Sequence, residues 1–153
     1  GKSRLAGVET MCKIQINRHI NVHGAYNYLY TSKDADGVRL SSSSPHSGNI
    51  RAEYNTRIPR YATVVNLSGN IMGKKKFDVL DELEIDGKKV EAYYQAKVNP
   101  YCLWDLTVSQ YIMQNLRITA GITNLFDYTS DRVTFNTSTS PGRNYFIACN
   151  YTL

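Results

Sequence analysis

The side chains of this sequence that could do chemistry are few, and their spacing works against most of it. His19 and His23 stand four positions apart, which on a helix would aim two imidazoles at one metal ion. On a strand the same spacing holds them about 13 Å apart, at roughly 3.3 Å per residue, too far to share one. They read instead as solvated side chains. The three cysteines, Cys12, Cys102 and Cys149, form an odd set with no close pair. Neither a closed disulfide framework nor a zinc site can be built from them, and they read as small hydrophobes. His46, after Pro45, opens an extended segment. There is no Gly-x-Ser-x-Gly elbow, phosphate loop or His-Glu-x-x-His helix, and the carboxylates are not paired for acid–base work. The sequence points away from an enzyme and implies no cofactor.

A net charge of +5 raises nucleic acid as a partner, but its distribution argues against it. The one dense basic run, Lys74, Lys75 and Lys76, leads directly into Asp78, Asp81, Glu82 and Glu84. No RNA-binding aromatic signature or Cys/His finger spacing accompanies it. The other charges worth following are dispersed: Glu9, Lys13, Arg51, Glu53, Arg57, Asp105 and Arg117 along the chain, and Lys88, Lys89 and Lys97 near Tyr93 and Tyr94. What they could bind depends on the elements that carry them.

Those elements are strands. Period-two alternation runs almost throughout, and helical periodicity is hard to find. In the last segment Tyr145, Ile147, Cys149, Tyr151 and Leu153 share one face, opposite Asn144, Phe146, Ala148, Asn150 and Thr152. Leu116, Ile118, Ala120 and Ile122 alternate with Asn115, Arg117, Thr119 and Gly121. Cys102, Trp104, Leu106 and Val108 alternate with Leu103, Asp105, Thr107 and Ser109. Similar segments surround Val65, Ile50, Val22 and Ile14, which gives about seven strands, many of the roughly ten residues a tilted strand needs to cross a bilayer. No run of eighteen apolar residues marks a membrane helix.

The connections alternate in length. Short ones are expected around Asn17-Arg18-His19, Ile58-Pro59-Arg60 and Met113-Gln114-Asn115. Long ones run over 32–45, 77–100 and 127–142. Outer-membrane barrels segregate short periplasmic turns from long outer loops in this way. Within the second long connection, Ile85-Asp86-Gly87-Lys88 carries a type I′ hairpin signature, so a β-ribbon is expected there.

Alternation alone does not say whether the apolar face meets a core or lipid. Tyr26, Tyr28, Tyr30, Tyr61, Tyr101, Trp104, Tyr145 and Tyr151 fall towards strand ends, as interfacial girdles require. On the opposite face Glu9, Lys13, Arg51, Glu53, Arg57, Asp105 and Arg117 carry both signs of charge, suited to a lumen and to an internal plug. The expected fold is all-β: a segment of about seven strands from an antiparallel, up-and-down transmembrane β-barrel. Such barrels use an even number of strands, so seven are incomplete alone, and further strands are expected before Gly1.

From Tyr101 onward the sequence resembles the end of TonB-dependent outer-membrane receptors. The residues that carry the resemblance are Asn124-Leu125-Phe126-Asp127, closing the penultimate strand, and Pro141-Gly142-Arg143, opening the last, with the final strand through Tyr151 to Leu153. Gly7-Val8-Glu9 and Ser44-Pro45-His46 extend the likeness over nearly the whole chain. The resemblance implies the carboxy-terminal strands, over residues 1–153, of a barrel of about 22 strands that encloses an amino-terminal plug. It implies location in the bacterial outer membrane and energy-coupled import of a scarce nutrient: an iron chelate, haem, a cobalamin or a glycan. The implied partners are lipid, the plug and earlier strands, the TonB complex reached through the amino-terminal part, and the small nutrient. Lys88, Lys89, Tyr93, Tyr94 and Lys97 are candidates for ligand contact in an outer loop. Leu153 departs from the phenylalanine often found last in the family. The alternative readings are a complete small outer-membrane barrel of structural or adhesion type, a soluble lipocalin-like binder, and an outer-membrane protease or lipase.

Overall fold

The computed structural model describes residues 4–32, 44–85, 88–129 and 142–152, the side chains of 77–96 excepted. It contains nine strands: β1 (Leu5–Gln15), β2 (Ile20–Thr31), β3 (His46–Asn55), β4 (Thr63–Met72), β5 (Lys75–Ile85), β6 (Lys88–Val98), β7 (Tyr101–Ile112), β8 (Leu116–Thr123) and β9 (Asn144–Tyr151). There is no helix among the described residues. Seven strands form one unclosed sheet in the order β1-β2-β3-β4-β7-β8-β9, and β5 and β6 pair separately. The seven expected strands are those of the sheet. The expected ribbon adds the other two, with Ile85 opposite Lys88, so only two residues close it, as the Asp-Gly signature requires.

The chain divides into two compact units. The first comprises Gly1–Glu9, Asn27–Ser47 and Met72–Tyr101. Here β1 meets β2 through Ser32 N–H to Arg4 O (2.9 Å), and β2 meets the start of β3 through Leu29 N–H to Pro45 O (2.8 Å). Gly73 donates to His46 O (2.8 Å), and a Cβ at Gly73 would lie only 2.7 Å from that oxygen. The ring of Tyr28 lies 5.1 Å from that of His46.

The second unit comprises Thr10–Tyr26, Gly48–Ile71 and Cys102–Leu153, and it holds the three short turns. Asn17 makes the first: its Oδ1 accepts from the N–H groups of His19 (2.8 Å) and Ile20 (2.9 Å), the Asx geometry that asparagine offers. His19 then donates from Nδ1 to Asn55 O (2.8 Å) while its Nε2 accepts from Arg18 Nε (2.9 Å). Both ring nitrogens of His19 are thus engaged at the turn. The second turn spans 56–62, longer than the three residues expected, with Arg57 and Arg60 at φ 54° and 66°. Thr56 and Thr63 exchange bonds across it. The third is the expected three residues, with Met113 at φ 55° between Ile112 and its partner Leu116.

The sheet has no second layer among the described residues to cover its apolar side. Along β9, Tyr145 is 69% exposed, Ile147 78% and Tyr151 65%, and no large side chain among the described residues is fully buried. A water-soluble sandwich or lipocalin would bury this face. A lipid-facing barrel wall leaves it bare. Trp104 packs on the same side against Gly69, where a Cβ would come within 2.9 Å of the indole.

On the other side, Phe146 leans over Gly121, its register partner. A methyl group on Gly121 would collide with the Cε1 and Cζ atoms of that ring, an aromatic covering for a glycine in a strand. Gly121→Val is expected to destabilise by about 1–3 kcal/mol through overpacking. Adding Phe146→Ala should recover most of that loss, because the space the valine needs is then vacant. A double-mutant cycle in urea unfolding measures the coupling; additive losses would mean the ring and the glycine do not depend on each other.

Candidate functional site: the polar face and the closure of the last strand

Strand alternation sets where the charged candidates stand. Glu9 and Lys13 are exposed on β1; on β3, Arg51 is exposed and Glu53 half-buried. None of these four side chains has a hydrogen bond, ion pair or ring contact with another described residue. Arg57 is not on a strand: it sits in the turn after β3, its N–H donating to Asn55 Oδ1 (2.8 Å). Arg117, on β8, holds its guanidinium 6.0 Å from the Tyr111 ring centre, across the Tyr111–Arg117 register pair, a cation–π contact. One row nearer the middle of these strands, Ser109 and Thr119 share a hydroxyl hydrogen bond of 2.9 Å.

Asp105 belongs to a different arrangement, where most of the Asn124-Leu125-Phe126-Asp127 element is explained. Asn124 is 5% exposed and takes φ 52°, a left-handed conformation that asparagine tolerates better than most residues. Its N–H donates to Asp105 Oδ1 (2.9 Å). Its side-chain Nδ2 donates to Tyr128 O (2.8 Å) and its Oδ1 accepts from Tyr128 N (2.8 Å), so a single amide closes a ring with the backbone four residues on. Leu125 N–H donates to Trp104 O (2.6 Å), which ties the turn to β7, and Asp127 N–H donates to Asn124 O (2.8 Å). Phe126 contributes an exposed side chain (69%).

Asp127, at φ 55°, then reaches the beginning of β9. Its Oδ1 accepts from Arg143 N–H (2.7 Å), bringing positions sixteen residues apart together. The close approach needs a small residue beside it: a Cβ on Gly142 would lie 2.9 Å from that carboxylate oxygen. The Arg143 guanidinium is pushed above its usual pKa by a hydrogen bond with the Tyr145 side chain, with attraction to Tyr145 and Asp127 adding to it. Asn124, Asp127, Gly142 and Arg143 are thus parts of one latch from β7 through the end of β8 to the start of β9. Sequence reading grouped them, apart from Asp105, which it placed among lumen-facing charges.

Of the remaining candidates, Tyr151 is exposed on β9, and Pro141 and Leu153 lie outside the described residues. Lys88, Lys89, Tyr93 and Tyr94 are on β6, opposite Ile85, Glu84, Leu80 and Val79, but their side chains are not described. Lys97 is exposed and pairs with Lys76. Gln110 escaped sequence reading. Its Oε1 accepts from Thr63 Oγ1 (2.6 Å) and its Nε2 donates to the carbonyls of Tyr61 (3.2 Å) and Tyr111 (3.0 Å), sealing the turn end of β4 and β7.

With this geometry in view, comparison with known proteins is informative. In solved structures the chain is similar to the outer-membrane ferripyoverdine receptor of Pseudomonas aeruginosa bound to ferripyoverdine, with a TM-score of 0.74 and 18% identity, covering 97% of this chain and 19% of that one. It is also similar to a mutant of the ferric enterobactin receptor of Pseudomonas aeruginosa in complex with enterobactin, with a TM-score of 0.73 and 18% identity, over 95% of this chain and 22% of that one. The chain therefore spans about a fifth of the length of the receptors it matches. No curated protein matches its sequence. The model of the family described as TonB dependent receptor-like, beta-barrel, matches residues 1–125, which stops inside the Asn124–Asp127 element. The chain belongs to the TonB-dependent receptor-like β-barrel family, and it is a segment of a bacterial outer-membrane receptor barrel.

Proposed function

We propose that this chain forms part of the wall of a receptor that imports a scarce nutrient across the outer membrane by energy-coupled transport. The observation that carries the reading is the contrast between the two sides of the sheet. One presents bare hydrophobes such as Ile147 and Tyr145. The other presents Glu9, Lys13, Arg51 and Glu53, charged side chains without partners among the described residues. Charges of both signs on the inner wall suit a plug domain, held by hydrogen bonds and ion pairs that can be broken and remade. The plug, the remaining strands and the contact with the TonB complex would come from the rest of the receptor. The latch at Asn124 and Asp127 would fix where the last strand starts.

The solved receptors of like fold bind ferripyoverdine and enterobactin, so an iron chelate is the first nutrient to test, ahead of haem, a cobalamin or a glycan. Cells with and without the gene, supplied with radioactive iron as a panel of ferric chelates, are expected to differ in uptake of at least one. A protonophore should abolish that difference. Gene-dependent uptake that persists in uncoupled cells would sink energy coupling. Uptake of every nutrient class independent of the gene would sink the receptor reading.

A further inference from the structure

A cleft of about 590 Å³ opens in the first unit, on β1, β2, β3 and the stretch from Met72 to Lys75. Gly7 floors it: a Cβ there would come 3.0 Å from Tyr28 O and 3.4 Å from Leu29 Cδ1, so Leu29 lies over the bare glycine. Glu9, Asn27, Ser47 and Lys75 line the cleft together with Leu29 and Met72. Its size is that of a pocket for a small organic ligand.

The charges decide the chemistry. Glu9 and Lys75 line the same cleft, yet neither side chain has an ion pair or hydrogen bond with another described residue. A ligand that covers them must supply opposite charges, because a buried unpaired charge is costly. A polyanion meets Glu9 unfavourably and a polycation meets Lys75 unfavourably. A neutral sugar would desolvate both and neutralise neither. The amide of Asn27 and the hydroxyl of Ser47 add donors and acceptors for a peptide-like frame, and Leu29 and Met72 offer an apolar bed.

We propose that this cleft binds a zwitterionic, peptide-like moiety of the imported ligand, its cationic group against Glu9 and its anionic group against Lys75. The assignment of that moiety to an imported ligand rests on the receptor reading above.

The test uses the complete receptor in liposomes and, as probe, the tripeptide alanyl-4-fluorophenylalanyl-alanine followed by ¹⁹F NMR. With wild type, acetylating the amino end or amidating the carboxyl end is expected to weaken binding about ten-fold each, the loss of one charge-assisted contact. Acetylation should make no difference in Glu9→Gln, and amidation none in Lys75→Met. Equal binding of free and capped peptides, no peptide binding, or equally tight binding of maltose overturns the proposal. The wild-type comparison stands even if a variant fails to assemble. Energised uptake is measured separately in cells. Uptake without end-group discrimination overturns the cleft assignment alone, whereas end-group discrimination without energised uptake overturns the receptor reading and leaves the ligand class standing.

Discussion

Ile147→Arg is expected to abolish or sharply reduce the folded barrel in the outer membrane, and Ala148→Arg, one residue on, is expected to be tolerated. Ile147 is 78% exposed and stands on β9 between Tyr145 and Tyr151, in the middle of the band those tyrosines bound. An arginine on the lipid face near the bilayer midplane costs about 2–4 kcal/mol. Ala148 points to the opposite side, in register with Thr119, where the row below holds Arg117 and Asn150 and another polar group is in keeping with its neighbours. The readout is the fraction of receptor that migrates as folded barrel in unheated gel samples. The reverse outcome, a silent Ile147→Arg and a damaging Ala148→Arg, would turn the apolar face inward. The chain would then be built like a lipocalin, and the lumen reading would fall with it.

That face was legible from the sequence because alternation is local: each residue's side follows from its parity along the strand. The same holds for the ribbon: an Asp-Gly pair between alternating runs predicts a two-residue connection, and Ile85 stands opposite Lys88. Contacts between strands were not legible. Nothing local in Gly121 announces that Phe146, an aromatic among Asn144, Ala148, Asn150 and Thr152, leans over it. Trp104 over Gly69 is the same case. Alternation puts Asp105 on the polar side, but nothing local shows that its carboxylate accepts from the backbone N–H of Asn124, nineteen positions away. The cleft could not be found by pattern at all, since Glu9 and Lys75 are brought to it from strands far apart in the sequence. The extra length of the second turn also went unseen, because Arg57 and Arg60 adopt left-handed backbone that arginine does not signal.

Asn124→Ala is expected to be the most damaging single change in the latch, at about 3–4 kcal/mol. Two losses combine. Alanine in the left-handed conformation costs about 1–2 kcal/mol, and removing the amide breaks its bonds to Tyr128 N and Tyr128 O at about 1 kcal/mol each. The two causes separate experimentally. Asn124→Gly accepts the backbone conformation but loses both side-chain bonds, so it should lose about half as much as alanine. Asn124→Asp keeps the acceptor for Tyr128 N but loses the donor to Tyr128 O. It also brings a second carboxylate towards Asp105, and should fall between wild type and alanine. Asp127→Ala loses the bond to Arg143 N–H, the attraction of its carboxylate for the Arg143 guanidinium and its own tolerance of φ 55°, at a more exposed position. Urea midpoints of the reconstituted receptor rank the four. If glycine proves as harmful as alanine, conformation contributes nothing and the hydrogen bonds carry the latch. If alanine is neutral, the ring closed on Tyr128 is not what holds the end of β8. The start of β9 would then be fixed by its strand pairing alone, and the Asn-Leu-Phe-Asp element would need a reason other than closure.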